Sequence, residues 1–464
     1  MIQRGKKILL FPVETTVREL DFRLVLATLC ARPDWQILLG DHDQLFRISL
    51  RLRNALFVGK NLIGGKYPWK YQRYRSQNIR SIQLPEEGGI FEGGKEDWKN
   101  ALRGWWDVTE VEADDHVCTW GQFQKDFYLE LGPKVANNIH VTGHPRFDLC
   151  RPRFKALYED EAAAMKAKYG KFILINTNFL SNNGMGADIN LRWFKIKPEE
   201  TERRTFYIDQ YCHDSHKQAH FVHLINELSN RCPDHHIIFR PHPSEDMRLF
   251  QSLFQYIPRV TVTREGSLQA WLHACEAMVH DGCTTAIEAH LTGANIINYQ
   301  PLKDPRFDIV LPNLVGLPCT RPEQVADAIH AIARGNPAPS ATPEALAQIA
   351  EMIANFEPGF DSFAALQQVI SRCQDEVAPA QIIGAAPLHL KHRLTDPLSK
   401  FTRPSPRLRR LFHSKDRGFE KFPFFDPTKI RQRLDSISGI TGKQVDVAFH
   451  GLKMLSITTG NARG

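Results

Sequence analysis

Residues 277–288 read Ala277-Met278-Val279-His280-Asp281-Gly282-Cys283-Thr284-Thr285-Ala286-Ile287-Glu288. An apolar run gives way to a polar turn holding one glycine, and the turn leads into a helix-like pattern. Residues 237–246 repeat the plan: Ile237-Ile238-Phe239 is followed by Arg240-Pro241-His242-Pro243-Ser244-Glu245-Asp246. Short apolar runs bounded in this way are buried parallel strands. Open α/β sheets place their ligands at the carboxyl ends of such strands. A histidine, two adjacent hydroxyls and a helix N-terminus gathered there suit a phosphate group.

Outward from this pair, strand-like and helix-like segments alternate along the chain, which predicts parallel sheets. The first half offers strands over 8–13, 36–39, 55–58, 79–83, 117–119 and 139–142, with helices over 17–30 and 122–131. A helix over 154–169 bridges to a second series of strands at 172–176, 236–239, 260–262, 277–279 and 296–299. Helices over 220–232, 268–275, 285–292 and 322–333 separate these, and 345–356 reads as another. The fold class is therefore α/β of GT-B type, two doubly wound Rossmann-like domains facing a cleft. Residues 1–150 form the N-terminal, acceptor-side domain and 151–377 the C-terminal, donor-side domain. Residues 378–464, richer in Pro, Arg and Phe, read as a basic C-terminal extension.

Composition narrows the class. A chain of 464 residues with 42% hydrophobic and 24% charged residues lies in the ordinary soluble range. No apolar run approaches the ~18 residues of a membrane span, and the run at 8–11 is too short for a signal-peptide core. Nine cysteines without a Cys-x-x-Cys pair imply buried thiols in a reducing cytosol. The net charge of +7 is concentrated in residues 391–464, which carry 16 Lys/Arg against 6 Asp/Glu. A basic, Phe-containing tail suits the inner face of the cytoplasmic membrane or an anionic glycan; nothing suits nucleic acid.

Each chemical candidate has a bland reading beside it. His242, stiffened by two prolines, can donate to a phosphate oxygen or be a buried histidine in a rigid turn. Thr284 and Thr285 with Gly282 form an anion site; Thr285 to Glu288 also fits a capping box, or Glu288 takes ribose hydroxyls. Asn176 and Asn178, followed by 181–186, form a polar loop of the kind that approaches phosphates. Pro85-Glu86-Glu87-Gly88-Gly89 puts two carboxylates at a strand end. Glycosyl transfer needs such a group as base or nucleophile; Glu87 is the first choice, with Glu86 turned away or assisting. Arg240, Arg264 and Arg146 are candidate cations for an acidic sugar. Glu14, Arg18 and Glu19 either line the cleft or simply start a helix. Asp41-His42-Asp43 has the letters of a metal motif but no further oxygen ligands nearby, so neither a metal nor another cofactor is predicted.

Taken in order, Pro12-Val13-Glu14, Arg18-Glu19, Glu86-Glu87-Gly88, residues 142–148, Ile175-Asn176-Thr177-Asn178-Phe179, Arg264-Glu265-Gly266-Ser267 and Gly282 to Ala289 resemble the bacterial surface carbohydrate biosynthesis protein family. More loosely, Glu86-Glu87-Gly88, His242-Pro243 and Thr284-Thr285 are similar to motifs of GT-B sialyltransferases and Kdo transferases that use CMP-activated ulosonic acids. That resemblance implies Glu87 or Glu86 as catalytic carboxylate, and His242 with Thr284 and Thr285 around the CMP phosphate, with no bridging metal; Pro243 and Ser244, on the His242 loop, are further donor-binding candidates. It implies a CMP-sugar donor and a lipid-linked or nascent capsule or lipopolysaccharide glycan as acceptor. Thr-Thr stands here where sialyltransferases typically carry serines. A CDP-glycerol phosphotransferase of teichoic-acid type, a sugar-nucleotide epimerase and a non-catalytic assembly scaffold are the alternatives.

Overall fold

The computed structural model describes residues 2–60, 68–105, 108–179, 196–243, 245–383, 422 and 424–460. They form two compact units: residues 1–88, 102–148 and 351–464 make one, residues 89–101 and 149–350 the other.

The first unit carries β1 (Lys7–Val13), β2 (Trp35–Asp41), the two-residue β3 (Leu52–Arg53), β4 (Ala55–Gly59), β5 (Ile79–Gln83), β6 (His116–Thr119) and β7 (Ile139–Val141). All but β3 join one parallel sheet in the order β2-β1-β4-β5-β6-β7. β1 is buried from Ile8 to Val13 without alternation, as expected of a strand covered by helices on both faces. The strand order reverses between β1 and β4, so the loops after those strands part there and leave a crevice.

The second unit carries β8 (Phe172–Asn176), β9 (His236–Arg240), β10 (Val260–Val262), β11 (Ala277–His280), β12 (Ile296–Tyr299) and β13 (Leu317–Cys319). Their order is β10-β9-β8-β11-β12-β13, parallel throughout. This is the dinucleotide-fold order, with its switch point between β8 and β11. Ile173, Ile175, Ile237, Phe239 and Val279 anchor one core beneath the helices Thr201–Arg231 and Pro322–Ala333. The doubly wound, two-unit α/β class expected from the sequence is the class observed.

The limits of the units differ from the sequence reading. The residues after 350 belong to the first unit: Asn355 bonds to His144 and Asp148, and Ser362 to Thr142 and Asp148. The tail is no mere appendage where it is described. The short β14 (Gln381–Ile382) pairs with β3, and a helix, Pro427–Thr441, follows, capped by Asp426. β15 (Val445–Phe449) and β16 (Met454–Thr459) then form a hairpin that adds antiparallel to β2. At Gly40 a Cβ would lie 2.5 Å from the Lys453 carbonyl, so only glycine permits this approach. Basic composition hid the short buried run Met454-Leu455-Ser456-Ile457. Residues 89–101 move the other way, into the second unit.

Two helices also differ. The bridge at 154–169 is a 3-10 turn, Pro152–Leu157, followed by the helix Glu159–Tyr169. The helix expected at 220–232 runs over 31 residues, Thr201–Arg231. No described helix is long and apolar enough to cross a membrane.

Candidate functional site

In the second unit the two motifs meet at the switch point. Asn176 ends β8 in register with both Arg240 of β9 and His280 of β11. The Asn176 side-chain amide donates to the Thr285 hydroxyl at 3.1 Å, and that hydroxyl donates to the Cys283 thiol at 3.1 Å. Gly282 turns the chain at φ +63°, a conformation that costs an L side chain roughly 1–2 kcal/mol. Its N–H donates to Asn313 Oδ1 at 2.7 Å, which fixes the turn's orientation. The helix Thr285–Thr292 then begins, with Thr284 as a half-buried N-cap whose side chain makes no capping bond.

This overturns the capping box predicted for Thr285 and Glu288. Thr285 is the first helical residue and spends its hydroxyl on Asn176 and Cys283, while Glu288 is buried in the same turn. Thr284, half-buried and making no capping bond, is the hydroxyl left for a ligand. His280 is fully buried, and burial pulls its pKa down to about 3, so it stays a neutral ring beneath the site. Below the turn, Asp281 pairs with Lys217 of the long helix at 2.9 Å, both side chains being buried.

The His242 loop is held from outside. Arg264 donates to the carbonyls of Pro241 at 3.1 Å, His242 at 2.6 Å, and Glu245. Glu245 is buried and accepts from the Thr177 hydroxyl and the Phe179 N–H, each at 2.9 Å, tying this loop to the end of β8. Burial raises its pKa to about 7 despite those donors. His242 is half-buried, Pro243 exposed and Asn178 half-buried, whereas Ser244 and the polar run 181–186 lie outside the described residues.

Two of the predicted sugar-carboxylate cations have structural work instead. Arg264 is the staple just described. Arg240 donates to the Glu265 carbonyl at 2.6 Å and lies 5.4 Å from the Trp271 ring, and burial lowers its pKa to about 10. Arg146, in the first unit, is the third correction: it is 3% exposed, lying 4.8 Å from the Trp120 ring and 4.7 Å from that of Phe147. A planar guanidinium is the side chain best suited to such stacking.

The carboxyl edge of the first sheet is a network of charges. Glu86 points inward: Arg23 donates to its Oε1 at 2.8 Å and His144 Nε2 lies 3.3 Å from Oε2. Burial alone would raise its pKa, yet His144 and then Arg23 outweigh burial and hold the carboxyl well below the usual range. Burial draws His144 down to about 4. Its Nδ1 faces the Arg146 N–H at 3.3 Å, which leaves the proton on Nε2, towards Glu86. Glu19 accepts from the backbone N–H groups of Glu14 and Thr15 and lies 3.8 Å from Arg23. Burial and then the Glu86 charge raise its pKa to about 7.

Glu86 is thus a buried strut, 8% exposed, with Oε1 held by Arg23 and Oε2 lying near His144. Glu87 is the accessible member, 47% exposed and 3.6 Å from Arg18. Glu14 pairs with Lys60 at the β1/β4 crevice. Asp43 pairs with Lys70 at 3.4 Å, and no cluster of metal-binding side chains occurs among the described residues.

Sequence reasoning missed Arg23, His144, Lys217 and Asn313. His144 alone carried a signal, in Gly143-His144-Pro145, which repeats the His-Pro pair of 242–243. The others sit inside helices or loops where neighbours in sequence reveal nothing.

No protein-family model and no curated protein sequence matches the chain. Among solved structures it is similar to the wall teichoic acid polymerase TagF, at 10% identity and TM-score 0.45 over 80% of this chain and 90% of that one. It is similar to Anabaena HepE in complex with UDP-glucose, at 11% identity and TM-score 0.41 over 80% and 99%. A putative UDP-N-acetylglucosamine 2-epimerase from Listeria monocytogenes gives 11% identity and TM-score 0.42 over 81% and 98%.

Proposed function

We propose that the protein is a glycosyltransferase of surface-glycan synthesis that takes an acidic sugar, Kdo or a related ulosonic acid, from its CMP ester. One observation carries this reading: the switch point of the second sheet is crowned by Gly282, Thr284 and the start of a helix, with His242 on the neighbouring strand's loop. Neutral donors and a helix dipole match one phosphate, which is what a CMP leaving group presents. A pyrophosphate would call for more positive charge than this edge supplies. In the first unit, Glu87 is an exposed carboxylate beside Arg18. The acceptor is a nascent or lipid-linked glycan, and the basic residues of the tail hold the protein at the inner membrane surface.

Calorimetry with CMP, CDP, UDP and GDP tests the donor class. The expected result is preference for CMP, weakened about tenfold or more by Thr284→Val and by His242→Ala, together with release of CMP from CMP-Kdo in the presence of acceptor. Preference for CDP with turnover of CDP-glycerol would replace the reading with phosphoglycerol transfer. Turnover of a nucleotide sugar alone to an isomer would replace it with epimerisation.

A further inference from the structure

The loop after β5 repeats itself, with Glu87-Gly88-Gly89 followed by Glu92-Gly93-Gly94, and its two acids fall in different compact units. Glu92 belongs with the nucleotide side. Gln210 of the long helix donates to its Oε2 at 2.6 Å, and the Gly93 N–H donates to the Asp308 carbonyl at 3.1 Å. The next residue, Ile309, packs under the Gly282 turn, its Cβ lying 3.3 Å from where a Cβ on Gly282 would stand.

The same helix leads to that turn by a second route. Gln210, Asp214 and Lys217 share one face by helical spacing. Lys217 joins Asp281, the residue before Gly282, at 2.9 Å. Glu92 is therefore braced twice against the proposed phosphate turn, and its side chain is only half-buried.

We infer that Glu92 is the general base of the transfer, a role that rests on the glycosyltransferase reading above. The acceptor hydroxyl gives its proton to the Glu92 carboxylate as its oxygen bonds to the anomeric carbon. The bond from that carbon to the CMP phosphate oxygen breaks, and its electron pair leaves with CMP. Burial and then Asp214 raise the Glu92 pKa to about 7, against the pull of Lys217, which suits a base working near neutrality. The titratable and charged groups around it are Tyr207, His213, Asp214 and Lys217 on the helix, Asp308 on the facing loop, and Asp281 beyond Lys217.

The test is steady-state transfer from CMP-Kdo by the full chain, comparing Glu92→Gln, Glu92→Asp, Glu87→Gln and Gln210→Leu, with CMP affinity measured on each. Glu92→Gln is expected to lower kcat roughly 100- to 10,000-fold with CMP affinity unchanged, and to abolish the wild-type fall in kcat below about pH 7. Glu92→Asp should recover part of the rate, while Glu87→Gln should keep the wild-type pH profile. A Glu92→Gln enzyme within threefold of wild type, or a pH profile unaltered by it, overturns the inference. If Gln210→Leu reproduces the whole loss and the lost pH limb, Glu92 is a strut, and the inference is wrong. If the wild type neither binds CMP nor transfers, the function itself is misread, and the inference falls with it.

Discussion

At the carboxyl edge of the first sheet, Arg23, Glu86, His144 and Glu19 answer one another below the surface. At the same edge of the second sheet, Asn176, Thr284 and Thr285 around the Gly282 turn are neutral, with the charged Asp281, Lys217 and Glu245 buried nearby. Both edges lie at a reversal of strand order, so topology alone does not separate them. The difference lies in what each leaves over for a ligand. Charges that already satisfy one another are expensive to disturb and make a rigid frame. Neutral donors at a helix start cost little to present and still favour an anion.

The largest test of the contrast concerns the frame. Ending the chain at residue 383 removes, among the described residues, eight buried apolar side chains: Phe422, Phe425, Ile430, Leu434, Ile437, Met454, Leu455 and Ile457. At about 1.5–3 kcal/mol each, their gross burial rivals the ~5–15 kcal/mol that stabilises a whole domain. The truncated chain should be insoluble or should lose the cooperative urea unfolding of its first unit. A soluble truncation with an unchanged urea midpoint would show that β2 tolerates an open edge.

Next comes the buried network. Glu86→Ala leaves Arg23 only the Glu19 carboxylate, 3.8 Å away, and should cost about 3 kcal/mol in urea unfolding. A loss below 1 kcal/mol would mean that water already reaches the network. Exchanging Arg23 and Glu86 together for Met and Leu should restore most of the loss.

Acidity should then act on Glu86 and Glu245 with opposite sign. The Glu86 pKa is lowered on folding, so its contribution is present above the ordinary carboxylate pKa of 4.5 and is lost as pH falls further. The Glu245 pKa is raised from 4.5 to about 7, so folding is penalised progressively as pH rises between those values. Relative to wild type, Glu245→Gln should gain roughly 3 kcal/mol between pH 4.5 and pH 7.5. Parallel stability curves for the two proteins would refute this.

The smallest effect is at the neutral edge. Thr285→Val deprives the buried Asn176 amide of its acceptor and should cost about 1–3 kcal/mol, with weaker CMP binding. Thr284→Val should leave stability within about 0.5 kcal/mol and act on binding alone. Equal stability losses from the two would erase the division of labour between these threonines.

Much of this was legible in advance because it depends on neighbours in sequence. Ile237 to Phe239 and Ala277 to Val279 announce buried parallel strands, and the polar turns behind them mark the strand ends. The partner of Glu86 was not legible, because Arg23 lies 63 residues away and reads as one more polar position in a helix. Arg240 and Arg264 looked like ligand cations for the same reason: sequence shows a charge but not the carbonyls that occupy it. Glu92 was passed over beside Glu86-Glu87 because nothing local distinguishes a half-buried acid from an exposed one.

The sequence by itself determined the two parallel α/β units and the loops that end their central strands, since apolar runs and turn residues act over a few positions. Only the tertiary structure decided which side chains are already paired, that Glu86 is sealed while Glu87 is open, and that the tail completes the first sheet. Pairing and burial depend on residues tens to hundreds of positions apart, and a one-dimensional pattern carries no distance between them.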